Sequence, residues 1–160
     1  MNNAVNYFIP NRDLIKGLKF NTGTSTNPTF TETCTATEIS LNTDFEQQDF
    51  YVFCDAIQRS LITGVAMSID TTIKFDVNNT AVQGLLGKIH TLLEQGTIAQ
   101  FNNEVVQFDL LKDVSEGALT YTTYQVPVVL NFSELGGAAE DASEFGLTIV
   151  INGKGSVVTG

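Results

Sequence analysis

The sequence predicts a mainly β protein, a β-sandwich or barrel of antiparallel strands with one flanking α-helix at about residues 80–95. Three observations support this fold class. Apolar and polar residues alternate along 61–77, the spacing of apolar residues changes to three and four over 80–95, and threonine is abundant while only 16% of residues are charged. A period of two is typical of a half-buried antiparallel strand. At 160 residues we expect a single domain, 1–160, with a sizeable core.

The alternating stretch 61–77 is the longest predicted strand. At about 3.3 Å per residue it would span roughly 55 Å, more than the width of a small domain. The strand must therefore bend, break or extend beyond the body of the domain. Thr71, a polar residue on the apolar side of the alternation, is the predicted position of a bend.

The predicted helix follows this strand. Asn78, Asn79 or Thr80 can cap its N-terminus, and Gly96 can end it. Two glycines inside it, Gly84 and Gly87, each lower helix stability by about 1 kcal/mol relative to alanine, so we expect packing against a sheet to hold the helix in place. Its apolar face comprises Ala81, Val82, Leu85, Leu86, Ile89, Leu92 and Leu93.

The remaining strands are read from the same alternation. An N-terminal arm at 1–12 precedes a strand at 14–20, a loop at 21–28 and a strand at 30–41. The alternation in that strand changes parity near Thr37 and Glu38, which predicts a β-bulge. After the helix we expect a hairpin of 97–101 with 105–111 that turns at Asn102 and Asn103. Two further strands are predicted at 119–132 and 145–151, with an acidic loop at 133–143 between them. Pro127 indicates that the first of these strands lies at an edge or contains a bulge.

Segment 43–60 is the least regular informative part of the chain. It begins with a polar, acidic stretch, continues through the apolar run 50–54 and closes with a further acidic and basic stretch. A connection of this length with its own apolar cluster is usually functional or disordered, and its aromatic residues argue against disorder. Buried, it would be an ordinary short strand. Exposed, its aromatic residues would form an interaction patch.

The net charge of −10 argues against a protein that binds nucleic acid by neutralising phosphates. The charge is unevenly distributed, because no basic residue lies between Lys19 and Arg59, whereas the first nineteen residues are slightly basic. This pattern fits either a solvated acidic surface or attraction between the basic segment of one copy and the acidic face of another. No apolar run is long enough for a membrane span and no signal peptide is evident, so we expect a cytosolic chain that does not enter a membrane.

No catalytic, metal or cofactor motif stands out. His90 is the single histidine, and the two cysteines, Cys34 and Cys54, lack metal-ligand spacing and are best interpreted as small buried thiols. We therefore predict no enzyme activity and no cofactor. Two other function classes stay open from the residues alone, a small β-barrel that binds an apolar ligand and a hydrolase that uses paired acids.

The order of these segments resembles a known family. An acidic, threonine-rich strand precedes the aromatic run 49–53, and the stretch 59–64 then opens a long alternating strand. A single helix, β-hairpins and the Gly-Gly-Ala-Ala-Glu-Asp loop follow. This arrangement resembles the major tail tube proteins of long, non-contractile-tailed bacteriophages, whose fold is related to the tube protein of type VI secretion.

The resemblance implies a structural virion protein. Its members form hexameric rings that stack into a tube, assembled in the host cytoplasm, with a channel through which DNA passes without specific binding. Expected partners are further copies of the chain, a tape-measure protein in the lumen, and tail-tip and terminator proteins. Segment 43–60 resembles the loop that reaches the adjoining ring, with candidate contacts at Asp44, Phe45, Glu46, Asp49, Phe50, Tyr51 and Arg59. Candidate acids lining the lumen are Glu32, Asp70 and Asp76. A type VI secretion-like tube is the alternative within this class.

Overall fold

In a computed structural model that describes residues 8–24, 26–115 and 117–158, the chain forms eight β-strands and three helices. The elements are α1 (Asn11–Leu14), β1 (Ile15–Asn21), β2 (Phe30–Glu32), β3 (Ala36–Phe50), β4 (Arg59–Lys74), α2 (Thr80–Gln95), α3 (Ala99–Asn102), β5 (Glu104–Ser115), β6 (Ala118–Leu135), β7 (Glu144–Ile151) and β8 (Ser156–Val157). The mainly β prediction is confirmed. Most of the predicted arm, residues 1–7, lies outside the described residues.

All strands belong to one antiparallel sheet with the order β2-β1-β5-β6-β7-β4-β3, and β8 pairs with β6. Strands β2 and β3 therefore lie at opposite edges, although only Thr33, Cys34 and Thr35 separate them in the sequence. Such a short connection spans at most about 14 Å. The sheet must consequently curl until its edges approach each other, which produces a barrel that is not closed.

One apolar cluster fills the inside of this curled sheet. Alternate residues of β4, β6 and β7 point into it, with Ile69, Ile73 and Ile149 fully buried. Helix α2 covers the cluster with Ala81, Val82 and Leu85, all buried. The predicted helix bounds are confirmed, whereas the second half of its apolar face packs only partly and Leu93 is exposed.

Backbone features at both ends of α2 explain those bounds. The side chain of Asn79 accepts a hydrogen bond from the Val82 amide, which satisfies one of the free donors of the first turn. Gly96 adopts a left-handed conformation, φ 70°, and its amide donates to the Leu92 carbonyl oxygen. These are the capping residues that the sequence indicates.

The predicted bulge near Thr37 is confirmed, because the pairing of β3 with β4 shifts register between Ala36 and Glu38. Thr71 pairs regularly with β3 on one side and β7 on the other, so no bulge or break interrupts β4 there. The long strand β4 extends past the end of β7, which is another of the outcomes that its length requires.

The predicted hairpin of 97–101 with 105–111 is also wrong. Residues 99–102 form the short helix α3, and β5 pairs with β6 instead, as far as Ser115 with Ala118. Ile98 and Phe101 suggested a strand, but their spacing of three equally suits a helical turn. Pro127 lies in β6 between the residues that pair with β7 and those that pair with β8. Proline has no backbone N–H to donate, and at this position neither pairing needs one.

Candidate assembly interface

Strands β3 and β4 continue past the end of their neighbour β7 as a two-stranded ribbon. Strand β7 pairs with β4 only over Ser68–Lys74, whereas β3 and β4 stay paired to Phe50 and Arg59. Residues 43–50 therefore extend about 26 Å beyond the last pairing of β4 with β7. The sequence prediction of a loop at 43–60 is wrong in its extent, because a loop occupies only 51–58.

The ribbon has one apolar and one acidic face. Phe45 pairs with Val65 and Thr43 with Met67, on the face that continues the apolar side of the sheet. Phe45 is 58% exposed and Val65 48% exposed. The opposite face carries Asp44 and Glu46, both exposed. No strand among the described residues pairs with β4 beyond Ser68 on this side, and we define the apolar face of the ribbon as the ribbon stripe: Phe45, Ile62, Val65 and Met67.

The turn at the end of the ribbon, 51–58, is defined here as the ribbon tip. Tyr51, Phe53 and Ile57 are strongly exposed, and Phe53 is fully so. A small monomer rarely presents this many large apolar side chains together, and such patches usually mark interaction surfaces. Cys54 in the tip is an exposed thiol, so the prediction of a buried Cys54 is wrong.

Two carboxylates hold the tip in shape. Asp55 accepts hydrogen bonds from the Ile57 amide, at 2.6 Å, and from the Arg59 guanidinium, at 2.9 Å. These bonds, the amide first, lower the pKa of Asp55. Asp49 accepts from the Gln47 amide group and the Ser60 hydroxyl, which lower its pKa in the same way. Both carboxylates favour the ionised form, unlike a general acid of a hydrolase, whose pKa must be raised.

The predicted inter-ring residues all lie on the ribbon or beside its tip. Asp44, Phe45 and Glu46 lie on the ribbon, whereas Asp49, Phe50, Tyr51 and Arg59 surround its tip, and every one of them is exposed. The sequence interpretation missed the partner strand, since Ile62 and Val65 complete the stripe. Val65 has the parity of the core residues of β4, whereas Ile62 reaches the same face only through the irregularity opposite Glu46 and Gln47, which the sequence does not reveal.

A cleft of about 810 Å³ lies where the barrel stays open, between β1 and the first half of β3. We call it the seam cleft. Its floor includes Ile15, Leu18 and Leu110, its walls include Ile39 and Leu41, and Arg12, Lys16, Glu32, Cys34 and Glu38 also line it. The outer edge of β3 pairs with no strand among the described residues. Cys34 is exposed, which makes the prediction of a buried thiol wrong there too.

The bulge that shapes this cleft depends on Gly17. The pairing of β1 with β5 shifts register between Lys16 and Lys19, and Gly17 has φ 65°. A Cβ atom on Gly17 would lie 2.7 Å from a carboxylate oxygen of Asp109. Glycine is therefore required both by the backbone conformation and by the close approach of Asp109.

The outer face of the sheet is largely polar. Asp70 lies in its middle and accepts hydrogen bonds from Asn42, at 2.6 Å, and Thr148, at 2.9 Å. Glu32 lies opposite Lys19 on the edge strand β2, and the register of β2, β1, β5 and β6 places it on the same face of the sheet as Asp70. Asp76 is apart from both, because it lies in the turn before α2 and accepts from the Asn78 amide. Two of the three candidate lumen acids thus share a face.

Asp109 is a further acid on this polar face that the sequence interpretation missed. Asp109 pairs with Thr123, whose hydroxyl donates a hydrogen bond to the Asp109 carboxylate. Thr123 lies on the same side of β6 as Asn131, which pairs with Thr148, so Asp109 shares a face of the sheet with Asp70. Its position between Phe108 and Leu110 in an alternating strand was the available signal.

Within the part of the chain that the structure describes, no cluster of three or more histidine, cysteine or acidic side chains could hold a metal ion. No helix in that part is both long enough and apolar enough to cross a bilayer.

Comparison with known proteins identifies the fold. No protein family model matches the chain, and no curated protein matches it in sequence. Solved structures do match. One is the tail of an empty gene transfer agent (GTA) particle, computed with helical refinement and C6 symmetry. Its TM-score is 0.59 at 14% sequence identity, and the match covers 95% of this chain and 100% of that chain.

Two other matches come from injection systems. The tube-terminating cap of the anti-feeding prophage (AFP) has a TM-score of 0.55 at 12% identity, with 100% of this chain and 97% of that chain covered. The PVC sheath–tube complex of an extracellular contractile injection system, in the extended state, has a TM-score of 0.53 at 13% identity, with 97% and 95% covered. The chain therefore has the fold found in the tails and tubes of phage-like particles, which confirms the predicted resemblance at the level of fold.

Proposed function

We propose that this protein is a structural subunit that polymerises as stacked hexameric rings into the tail tube of a virion. The observation that carries the proposal is the ribbon, which extends about 26 Å beyond the end of β7 and exposes its apolar stripe and tip. An apolar face of this size is stabilised when another molecule covers it. Identical neighbours are the simplest source of that cover, and the tails and tubes that share the fold are themselves assemblies.

The mode of assembly follows from the difference between the two surfaces in contact. The ribbon of one copy and the surface that receives it are different patches, so the contact is heterologous. Heterologous contacts close into rings or continue as open filaments. The six-fold number is supported by the C6 symmetry recorded for the tail of the GTA particle. Lateral contacts close the ring, and the ribbon connects one ring to the next.

The lumen is lined, in this proposal, by the polar face of the sheet. Asp70 and Asp109 carry negative charge there, and each lysine of the same face lies beside an acid: Lys16 is opposite Asp109, Lys19 is opposite Glu32, and Lys74 is paired with Glu144 at 2.7 Å. Acids repel phosphate groups, so DNA passes without the ion pairs that would retain it. A tape-measure protein in the lumen and tail-tip and terminator proteins at the ends complete the tail, which assembles in the host cytoplasm.

The experiment measures mass as a function of protein concentration. We expect sedimentation velocity to show association above a critical concentration, and negative-stain images of the same samples to show rings or tubes with a central channel. A protein that stays monomeric up to its solubility limit would contradict the proposal. The seam cleft does not favour a ligand-binding module, because it is open along the seam rather than enclosed.

A further inference from the structure

We propose that Asn152 is a site at which the chain modifies itself, converting to isoaspartate and aspartate through a succinimide that the side chain forms with the Gly153 amide nitrogen. The modification uses residues of a single subunit. It therefore does not depend on the proposed function or on assembly.

The asparagine and the glycine lie in a bulge between β7 and β8. Strand β7 ends at Ile151, opposite Val128 of β6. Strand β8 resumes the pairing with β6 at Ser156, opposite Gln125. Four residues, 152–155, thus stand opposite two residues of β6, so the connection bulges out of the strand pairing.

No hydrogen bond restrains the two groups that would react. The Asn152 amide donates to the Pro127 carbonyl oxygen at 2.8 Å, but Pro127 has no N–H for the reciprocal bond. Among the described residues, no hydrogen bond holds the Asn152 side chain or the Gly153 amide. Both residues are exposed, so water reaches the side chain and the peptide bond.

The fold favours glycine at position 153. Gly153 has φ 154°, a conformation that residues with a side chain rarely adopt, and a Cβ atom there would lie 3.1 Å from Cγ of Pro127. Because glycine has no side chain, the nitrogen next to Asn152 is sterically open to attack. Asn152 and Gly153 are the only Asn-Gly pair in the chain.

The reaction requires only water. The Gly153 nitrogen loses its proton to hydroxide and attacks Cγ of the Asn152 side chain, and the carboxamide nitrogen takes up a proton from water and leaves as ammonia. Water then opens the cyclic succinimide at either carbonyl carbon, which leaves aspartate or isoaspartate at this position. Each conversion consumes one water and releases one ammonia, with no oxidation or reduction.

The products alter both the polar face and the backbone. Asn152 alternates with Val150 and Thr148, and Thr148 donates to Asp70, so either product adds a carboxylate to the polar face of the sheet. Isoaspartate also inserts an additional carbon atom into the backbone between β7 and β8. The inserted atom shifts β8 relative to its partners on β6, which weakens that pairing.

Incubation of the purified full chain at mildly alkaline pH tests the site. We expect peptide mass spectrometry to show conversion of Asn152, with isoaspartate detected by isoaspartyl methyltransferase and ammonia released in an equal amount. Asn78 and Asn102 are internal controls, because each is exposed but is followed by another asparagine, and both should stay unmodified over the same period. Asn152→Ser should abolish the release of ammonia.

Two results would overturn the assignment. Conversion of Asn78 or Asn102 as fast as Asn152 would show that the bulge confers no preference. Persistence of Asn152 in the folded protein, while a synthetic peptide of residues 148–156 is converted, would show that the fold protects the site instead of exposing it.

Hydrogen exchange measures the effect on β8. The Val158 amide donates to the Thr123 carbonyl oxygen at 2.8 Å. In the isoaspartyl protein its protection should fall about two- to tenfold, the change that corresponds to loss of about one hydrogen bond. Asn152→Asp adds the same charge without lengthening the backbone and should keep the original protection. Equal protection in all three proteins would refute the effect on β8, and an equal loss in both altered proteins would assign it to charge.

Discussion

Replacement of Phe45 by serine separates assembly from folding. Phe45 is 58% exposed in the subunit, so its side chain contributes little to the core. We expect the free energy of unfolding of the monomer to change by no more than about 0.5 kcal/mol, as is usual for surface substitutions. Thermal unfolding followed by circular dichroism on monomeric protein measures this quantity.

The same change should strongly weaken assembly. A phenylalanine offers about 200 Å² of surface, and with 58% of it exposed about 120 Å² is available for a partner to cover. At about 25 cal/mol per Å², full burial contributes about 3 kcal/mol, which corresponds to an increase of up to about 100-fold in the critical concentration when it is lost. Pelleting and light scattering over a concentration series measure that quantity.

A matched control distinguishes the ribbon from general loss of apolar surface. Leu93 in α2 is 78% exposed, and α2 packs against β1 and β2, so Leu93→Ser should leave the critical concentration unchanged. If Phe45→Ser assembles at the concentration of the unaltered protein, the ribbon stripe is not an assembly contact and the reasoning is refuted.

Three further predictions concern the ribbon tip and the helix. Replacing 51–58 by Asn-Gly, which suits a two-residue turn between the paired residues Phe50 and Arg59, should leave the fold intact by circular dichroism but abolish tubes in negative stain. Because the folded-state pKa of Asp55 is lowered, the order that this carboxylate gives the tip should be fully present above the ordinary carboxyl pKa and lost only as the pH falls through the lower folded value. The amide shift of Ile57, followed by NMR against pH, should have its midpoint below the ordinary aspartate pKa. Asn79→Ala should cost about 1 kcal/mol in denaturant unfolding by removing the helix cap, and an unchanged stability would show that the cap is dispensable.

The sequence was sufficient where a local pattern decides the structure. Helix α2 has its cap, its apolar spacing and its terminal glycine in the sequence, and its bounds were predicted correctly. The bulge at Thr37 was equally visible as a change of parity. In both places the local preference and the tertiary contacts agree.

The ribbon was harder because its two strands differ in character. Residues 43–50 are polar and acidic, with few strand-favouring side chains, and indicated a loop. They form a strand because β4, rich in β-branched and apolar residues, offers them a continuous set of backbone partners. The seam cleft could not be predicted at all, since it depends on β2 and β3 lying at opposite edges of the sheet, which is a property of the strand order.

The central claim is that the apolar stripe and tip of the ribbon are covered by another copy of the same chain. A cryo-electron microscopy reconstruction of the assembled protein tests it most directly. The account predicts rings in which each ribbon lies against a subunit of the adjacent ring, with Phe45 and Phe53 buried. A tube whose ribbons extend into solvent and leave both side chains exposed would contradict it.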